Sequence, residues 1–173
     1  MSDVAIELDG NTDGLALLHI GAARAKALRI FSFASTVYPG EWAGAFVEMV
    51  SQELVEFAFH ARRVNNLFGF DHHVFQSIQK FHVQFDGGPE LWEDRYQAAL
   101  NRLLHATHFV FGSAHADHRV IFTNAQSNIM PFYAKVASSH LKEPAAISLV
   151  GISLCYLDEV LTLVKNARPN WTI

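Results

Sequence analysis

The sequence predicts a mainly helical fold that contains a small β-sheet and is organised around one long helix. Apolar residues recur every three or four positions from residue 41 to residue 68, which is the period of an amphipathic helix. Short stretches between residues 80 and 137 look like strands and predict an antiparallel hairpin or a three-stranded sheet. Half of the residues are apolar and 17% are charged, so a packed core is expected. We predict about four helices packed on the helix at 41–68, with an all-α bundle as the alternative architecture.

The long helix is predicted from Glu41 to Phe68 because its apolar residues form one continuous stripe. Pro39 and Glu41 suit a helix N-terminus, and Gly69 suits the residue after a helix C-terminus. A second apolar set, which includes Phe59, widens the stripe. At about 1.5 Å per residue this helix is about 42 Å long, enough to cross a domain. The stripe consists of Phe46, Val50, Leu54, Phe57, Ala61, Val64 and Phe68.

The remaining helices are predicted from their capping residues and apolar patterns. Asp13 is expected to cap a helix over residues 14–33, which is rich in alanine and leucine. A short helix is expected at 71–78. Proline begins both of the later helices, which are predicted at 89–111 and at 144–166.

Strands are predicted at 80–85, 119–123 and 132–137. The first of these, KFHVQF, alternates between apolar and polar residues and is followed by a turn-like Asp-Gly-Gly. The chain shows no internal repeat, low-complexity stretch or linker. We therefore predict a single domain over 1–173, in which 1–13 form a loose N-terminal arm.

Composition and charge limit the classes of partner. The formal net charge is −4 and the pI is near 6.2, so no overall positive field attracts nucleic acid, which we consider only as an RNA substrate. The apolar segment 145–164 contains Asp158 and Glu159, so no membrane span is expected. Cys155 is the single cysteine, which excludes an internal disulfide and agrees with a cytoplasmic location. Its aliphatic surroundings predict a buried, inert thiol.

The leading functional prediction is a cytoplasmic interaction or regulatory domain that forms a homodimer and has no catalytic activity of its own. A low charge fraction together with two very apolar helices indicates that a second copy, or another protein partner, covers part of the surface. We expect the dimer interface on the last helix, because small residues allow two backbones to approach closely. These residues are Ala146, Ser148, Gly151 and Ser153.

Histidine is abundant, with ten residues in the chain, and four of them lie close together in the sequence. His105 and His108 are three positions apart, so on a helix they share one face and could bind a metal ion, helped by His115 and His118. This arrangement predicts, as an alternative function, a hydrolase with a histidine-bound metal. The loop after Gly112 is poorly suited to fixing ligands, and no established ligand pattern is present. We therefore expect purified protein to carry no tightly bound metal and no other cofactor.

A second group of candidate residues lies on the long helix. Glu56 and His60 are four positions apart, a spacing at which a carboxylate can orient an imidazole as a general base. The same spacing is typical of an ordinary ion pair on a solvated face. If the protein is an enzyme, the sequence predicts a site where the end of the third helix meets the long helix. Its candidate residues are Arg102, His105, His108, Glu56 and His60.

Arg102 is followed, after five residues, by His108. An arginine followed by four to six residues and a histidine resembles the active-site motif of HEPN domains, which are all-helical, often dimeric and in many cases metal-independent ribonucleases. The resemblance covers about one and a half helix turns, and Leu103 stands where the motif usually has a polar residue. It implies a second alternative function, a metal-independent ribonuclease that uses Arg102 and His108. We assign no family from it.

Overall fold

The computed structural model describes residues 12–82, 88–115, 128–138 and 141–173. These residues are mostly helical and include one small antiparallel sheet, as the sequence predicts. The helices are α1 (Thr12–Ala34), α2 (Ala43–Phe68), α3 (Ser77–Lys80), α4 (Tyr96–Leu104), α5 (Leu149–Leu154) and α6 (Leu161–Ala167). A 3₁₀ turn at Gly40–Trp42 precedes α2, and a π-helical segment at Cys155–Val160 joins α5 to α6. The strands are β1 (Tyr38–Pro39), β2 (Ala106–His115), β3 (Asn128–Ser138) and β4 (Leu141–Ser148).

The predicted long helix is confirmed as α2, which follows the 3₁₀ turn that contains Glu41. The apolar stripe is buried up to Val64, and Phe68 is half-buried. Gly69 ends the helix in the left-handed region, with φ 72°, and its N–H donates to the carbonyl of Asn65. Each large side chain buried in such a stripe contributes about 1.5–3 kcal/mol. The stripe is narrower than predicted, because Phe59 is 44% exposed.

The first helix, α1, packs on both α2 and α5. Its contact face contains Ala23 and Ala27, which are fully buried and allow the neighbouring helices to approach closely. The helix begins at Thr12, so Asp13 lies in the first turn rather than at the cap, where its charge still favours the helix dipole. Of the other helices, α4 also packs on α2, whereas α3 packs mainly on α5.

The central strand of the sheet is β3. It pairs with β2 along one edge, and along the other edge with β1 at its beginning and β4 towards its end. Ala134 and Val136 of β3 are fully buried in the core, and Phe111 of β2 packs against it. Gly112 lies opposite Tyr133, and a Cβ at Gly112 would lie 1.9 Å from the ring of Tyr133.

Three predicted helices differ clearly from the structure in extent. The short helix predicted at 71–78 is limited to α3, which begins only at Ser77. The helix predicted at 89–111 is limited to α4, because the following residues form β2. The run Ala106–Phe111 is rich in β-branched and aromatic residues, and its pairing with β3 decides in favour of a strand. The helix predicted from Pro144 begins only at Leu149, because the preceding residues form β4. Ser148 caps that helix, since its hydroxyl accepts a hydrogen bond from the N–H of Gly151 at 3.0 Å.

The predicted strands have different outcomes. The strand at 132–137 is confirmed within β3. The strand at 80–85 is wrong at its beginning, because Lys80 ends α3 and the next two residues are not in a strand; its remainder and 119–123 lie outside the described residues. The sheet extends beyond the predicted range of 80–137, since it includes β1 and β4. The single domain over 1–173 stays a prediction, and most of the predicted N-terminal arm lies outside the described residues.

The predicted dimer interface on the last helix is wrong. Ala146, Ser148, Gly151 and Ser153 are buried inside the chain, so they are not available to a second copy. The space at Gly151 is taken by this chain, because a Cβ there would lie 2.9 Å from the carbonyl oxygen of Ile78. Cys155 is buried, as predicted, and burial raises the pKa of its thiol. None of the helices in the described ranges is long and apolar enough to cross a membrane.

Candidate functional site: a polar cleft beside α4

A cleft with a volume of about 790 Å³ opens between the end of α2, the segment that leads to α3, and the first two turns of α4. This volume lies within the range of pockets that bind small molecules. The residues that line it are mostly polar, and six of them have basic or imidazole side chains. These are Arg62, His72, His73, Arg95, Arg102 and His105.

The wall of the cleft is fixed by a buried ion pair. Glu93 is 7% exposed, and its Oε2 accepts a hydrogen bond from Nε of Arg102 at 2.8 Å. Arg102 also donates from Nη1 to the carbonyl of Glu143 at 2.9 Å. Glu93 reaches this position because its backbone N–H donates to the carbonyl of Ala146 in β4 at 2.9 Å. The guanidinium of Arg102 is therefore held between a carboxylate and a carbonyl, which is a structural role.

The N-terminus of α4 lies at the edge of the cleft, and its first-turn residues Tyr96, Gln97 and Ala98 line it. The first N–H groups of a helix have no partners within the helix and carry partial positive charge. Arg95 occupies the N-cap position, and among the described residues no side chain caps this helix end. The side chain of Arg95 is 82% exposed and lies 3.6 Å from the carboxylate of Glu93. This end of the cleft is suited to a carboxylate or phosphate group.

The carboxamides of Gln97 and Asn101 form the next part of the wall. Gln97 is held by Asn65, which is fully buried on α2 outside the cleft lining and whose Nδ2 donates to Oε1 of Gln97 at 2.7 Å. The Oδ1 atom of Asn101 is buried and has no hydrogen-bond partner within the part of the chain that the structure describes. An unmet acceptor of this kind costs about 1–3 kcal/mol, so a donor that reaches it would be bound favourably.

Arginine and carboxylate side chains are equal in number in the lining of the cleft. Three arginines line it, and so do three carboxylates, those of Asp71, Glu93 and Asp94. Glu93 is already paired with Arg102, and Asp94 lies 3.5 Å from the imidazole of His82. The geometry therefore favours a small polar ligand that has both an anionic group and hydrogen-bond donors, rather than a highly charged polyanion.

The five predicted catalytic residues do not form one site. Arg102 and His105 line the cleft. His108 is exposed on β2, opposite Ala137 in β3, so it does not share a helix face with His105.

Glu56 and His60 lie on the side of α2 that faces α1. Lys26 of α1 forms a salt bridge with Glu56, and Gln52 donates to the same carboxylate at 2.8 Å. These hydrogen bonds hold the pKa of Glu56 below its usual value. The partner of His60 is His19, whose Nδ1 lies 2.8 Å from the Nδ1 of His60. The predicted pairing of Glu56 with His60 is therefore replaced by two contacts with α1.

The four histidines considered as metal ligands in the sequence analysis do not form one site in the described residues either. His105 follows the last residue of α4, and His108 lies two residues into the next element, β2. The side chain of His115 and all of His118 lie outside the described residues. In the described ranges, no three His, Cys, Asp or Glu side chains come together as metal ligands.

Sequence reasoning missed Glu93 as a residue of the site and Asn65 as the buried partner of the lining residue Gln97. Glu93 lies before α4 and reaches Arg102 because α4 begins later than predicted. Asn65 stands within the polar positions of an amphipathic helix, yet it is fully buried. The burial of Asn65 follows from the packing of α4 on α2, which the local sequence pattern does not show.

Comparisons of the chain with protein-family models, with curated proteins and with solved structures found no match.

Proposed function

We propose that this chain is a cytoplasmic regulatory domain that binds a small polar ligand with a carboxylate or phosphate group in the cleft beside α4. The observation that carries this proposal is the cleft itself, about 790 Å³ in volume, with the uncapped end of α4 and the exposed Arg95 at one edge. Glu93 and Arg102 hold each other, so this buried pair is engaged in structure rather than in chemistry. Binding without catalysis is the simplest use of this arrangement.

Ligand binding is tested by thermal unfolding in the presence of L-serine and of phosphoethanolamine, small carboxylate and phosphate probes that also carry hydrogen-bond donors. A ligand at about a hundred times its Kd stabilises a protein by about 2.7 kcal/mol. For a chain of this size, that corresponds to a rise in Tm of about 5–10 °C. We expect at least one probe to raise Tm, and no rise with either probe would contradict the proposal.

Two variants test whether the ligand binds at the N-terminus of α4. Arg95→Gln removes an exposed charge at the edge of the cleft and should reduce the rise in Tm without changing the Tm of the free protein. Ala98→Glu puts a carboxylate in the first turn of α4, which stabilises the helix by about 0.3–1 kcal/mol and competes with an anionic ligand. It should therefore raise the Tm of the free protein and abolish the response to the probe. Arg24→Gln, an exposed position on α1, is the matched control.

We also propose that the protein is a homodimer. Its support is the set of large apolar side chains that α1 and α2 leave exposed in the single chain, since such surface is commonly covered by a partner. They include Leu15, Leu18 and Leu28 on α1, and Met49 and Phe59 on α2. Light scattering at micromolar concentration is the test.

The two enzymatic alternatives have less support. A ribonuclease of the HEPN type would use Arg102 and His108, but Arg102 is held by Glu93, and His108 lies on a strand. RNA cleavage that persists in EDTA and is lost in His108→Ala would favour this alternative. A hydrolase with a histidine-bound metal would require about one metal ion per chain in elemental analysis of untagged protein, lost on replacing His108 and His115.

A further inference from the structure

Two histidines face each other where α1 packs on α2, away from the cleft. His19 on α1 is 7% exposed, and His60 on α2 is half-buried. Their Nδ1 atoms are 2.8 Å apart, and their ring centroids are 5.1 Å apart. Phe59 covers the pair, with its ring centroid 5.9 Å from that of His19 and 5.2 Å from that of His60. The function proposed above makes no use of this pair.

A contact of 2.8 Å between two ring nitrogens requires one hydrogen between them. When both rings are neutral, one carries its proton on Nδ1 and donates to the bare Nδ1 of the other. Adding one proton to the pair keeps the hydrogen bond and makes it charge-assisted. When both rings are protonated, each Nδ1 carries a proton, so the hydrogen bond is lost and two like charges face each other.

The surroundings of the pair disfavour its protonation. Burial lowers the pKa of His19, and the nearby guanidinium of Arg63 lowers it further. Burial also lowers the pKa of His60, and the charges of His19 and Lys26 outweigh the opposing effect of Glu56.

From the π-helical segment between α5 and α6, the hydroxyl of Tyr156 donates to the carbonyl of Ile20, one residue from His19, at 3.3 Å. Burial raises the pKa of this hydroxyl, so it stays neutral across the range in which histidine titrates. The positive charges of Arg63 and Lys26 also disfavour a metal ion between the two rings. The species that the two rings share is therefore a proton.

We propose that His19 and His60 form an acid-sensitive contact that stabilises the packing of α1 on α2 while one hydrogen lies between the two rings, and that destabilises this packing when both rings are protonated. The sign follows from linkage. A histidine whose pKa is lower in the folded chain than in the unfolded chain does not reduce the free energy of unfolding at a pH above its ordinary pKa of about 6.5. Below that pH the unfolded chain takes up protons first, so the folded state loses stability as the pH falls towards the pKa of the folded pair.

The test compares the pH dependence of unfolding of the wild type with that of the double variant His19→Gln/His60→Gln. Glutamine keeps a neutral hydrogen-bonding group at each position but does not titrate. His108→Gln, at an exposed position on β2, is the matched control. Tm is measured between pH 7.5 and 5.0 both without and with EDTA, and proton uptake on unfolding is obtained by calorimetry in buffers of different ionisation enthalpy.

We expect the Tm of the wild type and of His108→Gln to fall more steeply below pH 6.5 than that of the double variant. Near pH 5.5, unfolding of the wild type should take up about one to two more protons per chain than unfolding of the double variant. Equal pH dependence of the wild type and the double variant would overturn the proposal. A difference that disappears in EDTA would also overturn it, because the pair would then bind a metal ion.

A second measurement does not depend on the variants folding. Long-range ¹H–¹⁵N spectra of the wild type at pH 7.5 report which nitrogen of each histidine is protonated. The proposal requires one ring of the pair to be protonated on Nδ1 and the other on Nε2. Two rings both protonated on Nε2 would contradict it.

Discussion

Replacing Glu93 by glutamine tests whether the ion pair with Arg102 holds the cleft wall in place. Both side chains are largely buried, with 7% of Glu93 and 11% of Arg102 exposed. Glutamine has nearly the same shape and can still accept one hydrogen bond, so the change removes mainly the negative charge. Arg102 would then keep its positive charge inside the protein with only the carbonyl of Glu143 opposite it.

Removing one partner of a buried ion pair costs about 3–5 kcal/mol. Because glutamine retains a hydrogen bond, we expect Glu93→Gln to lower the free energy of unfolding by about 3 kcal/mol. This corresponds to a fall in Tm of about 6–12 °C for a chain of this length. Urea denaturation at pH 7, with the m-value checked for constancy, measures the change. Glu48→Gln, on the exposed side of α2, should stay within about 0.5 kcal/mol of the wild type.

The double variant Glu93→Leu/Arg102→Met distinguishes the effect of an unpaired buried charge on stability from the effect of altered packing. Replacing both charges by apolar side chains leaves no unpaired ion, so it should be more stable than Arg102→Met or Glu93→Gln alone. A loss below about 0.5 kcal/mol in Glu93→Gln would refute the reasoning, because the pair would then behave like an exposed salt bridge.

Three further predictions concern packing, capping and assembly. Gly112→Ala should cost about 1–3 kcal/mol of unfolding free energy, because the new Cβ collides with the ring of Tyr133, whereas Gly21→Ala, in open space on α1, should stabilise by up to about 1 kcal/mol. Glu159→Gln should cost about 1 kcal/mol, since the carboxylate accepts the backbone N–H of Ser77 at 2.5 Å. Burial raises the pKa of Glu159, but hydrogen bonds at the start of α3 outweigh burial and lower it. Its contribution is therefore present above its usual pKa, and the difference between wild type and variant should shrink as the pH falls below about 4.3. Light scattering at micromolar concentration should give twice the chain mass of 19.3 kDa, and a single species of 19.3 kDa would contradict the homodimer.

The parts of the fold that depend on local pattern could be predicted from the sequence. The stripe of α2 repeats over about six turns, and Gly69 ends the helix, so the local pattern alone identifies it. The run Ala106–Phe111 was ambiguous, because its composition suits a buried helix end or a strand. Only the pairing with β3, more than twenty residues later in the chain, distinguishes the two.

The candidate site was harder to predict for the same reason. The spacing of Arg102 and of His105 from His108 predicts both as site residues, and both line the cleft, whereas His108 does not. The partner of Arg102 was missed, because Glu93 reaches it only after its backbone has paired with β4. His60 was paired with Glu56 on its own helix, whereas its partner is His19 on another helix, a contact that no local spacing reveals.

The most direct test of ligand binding in the cleft is an NMR titration of ¹⁵N-labelled protein with L-serine and phosphoethanolamine. The account predicts saturable shifts of the backbone amides of Tyr96, Gln97 and Ala98, with smaller shifts at Arg62 across the cleft, and their loss in Ala98→Glu. Shifts confined to residues outside the cleft, or no saturable shift with either probe, would contradict it.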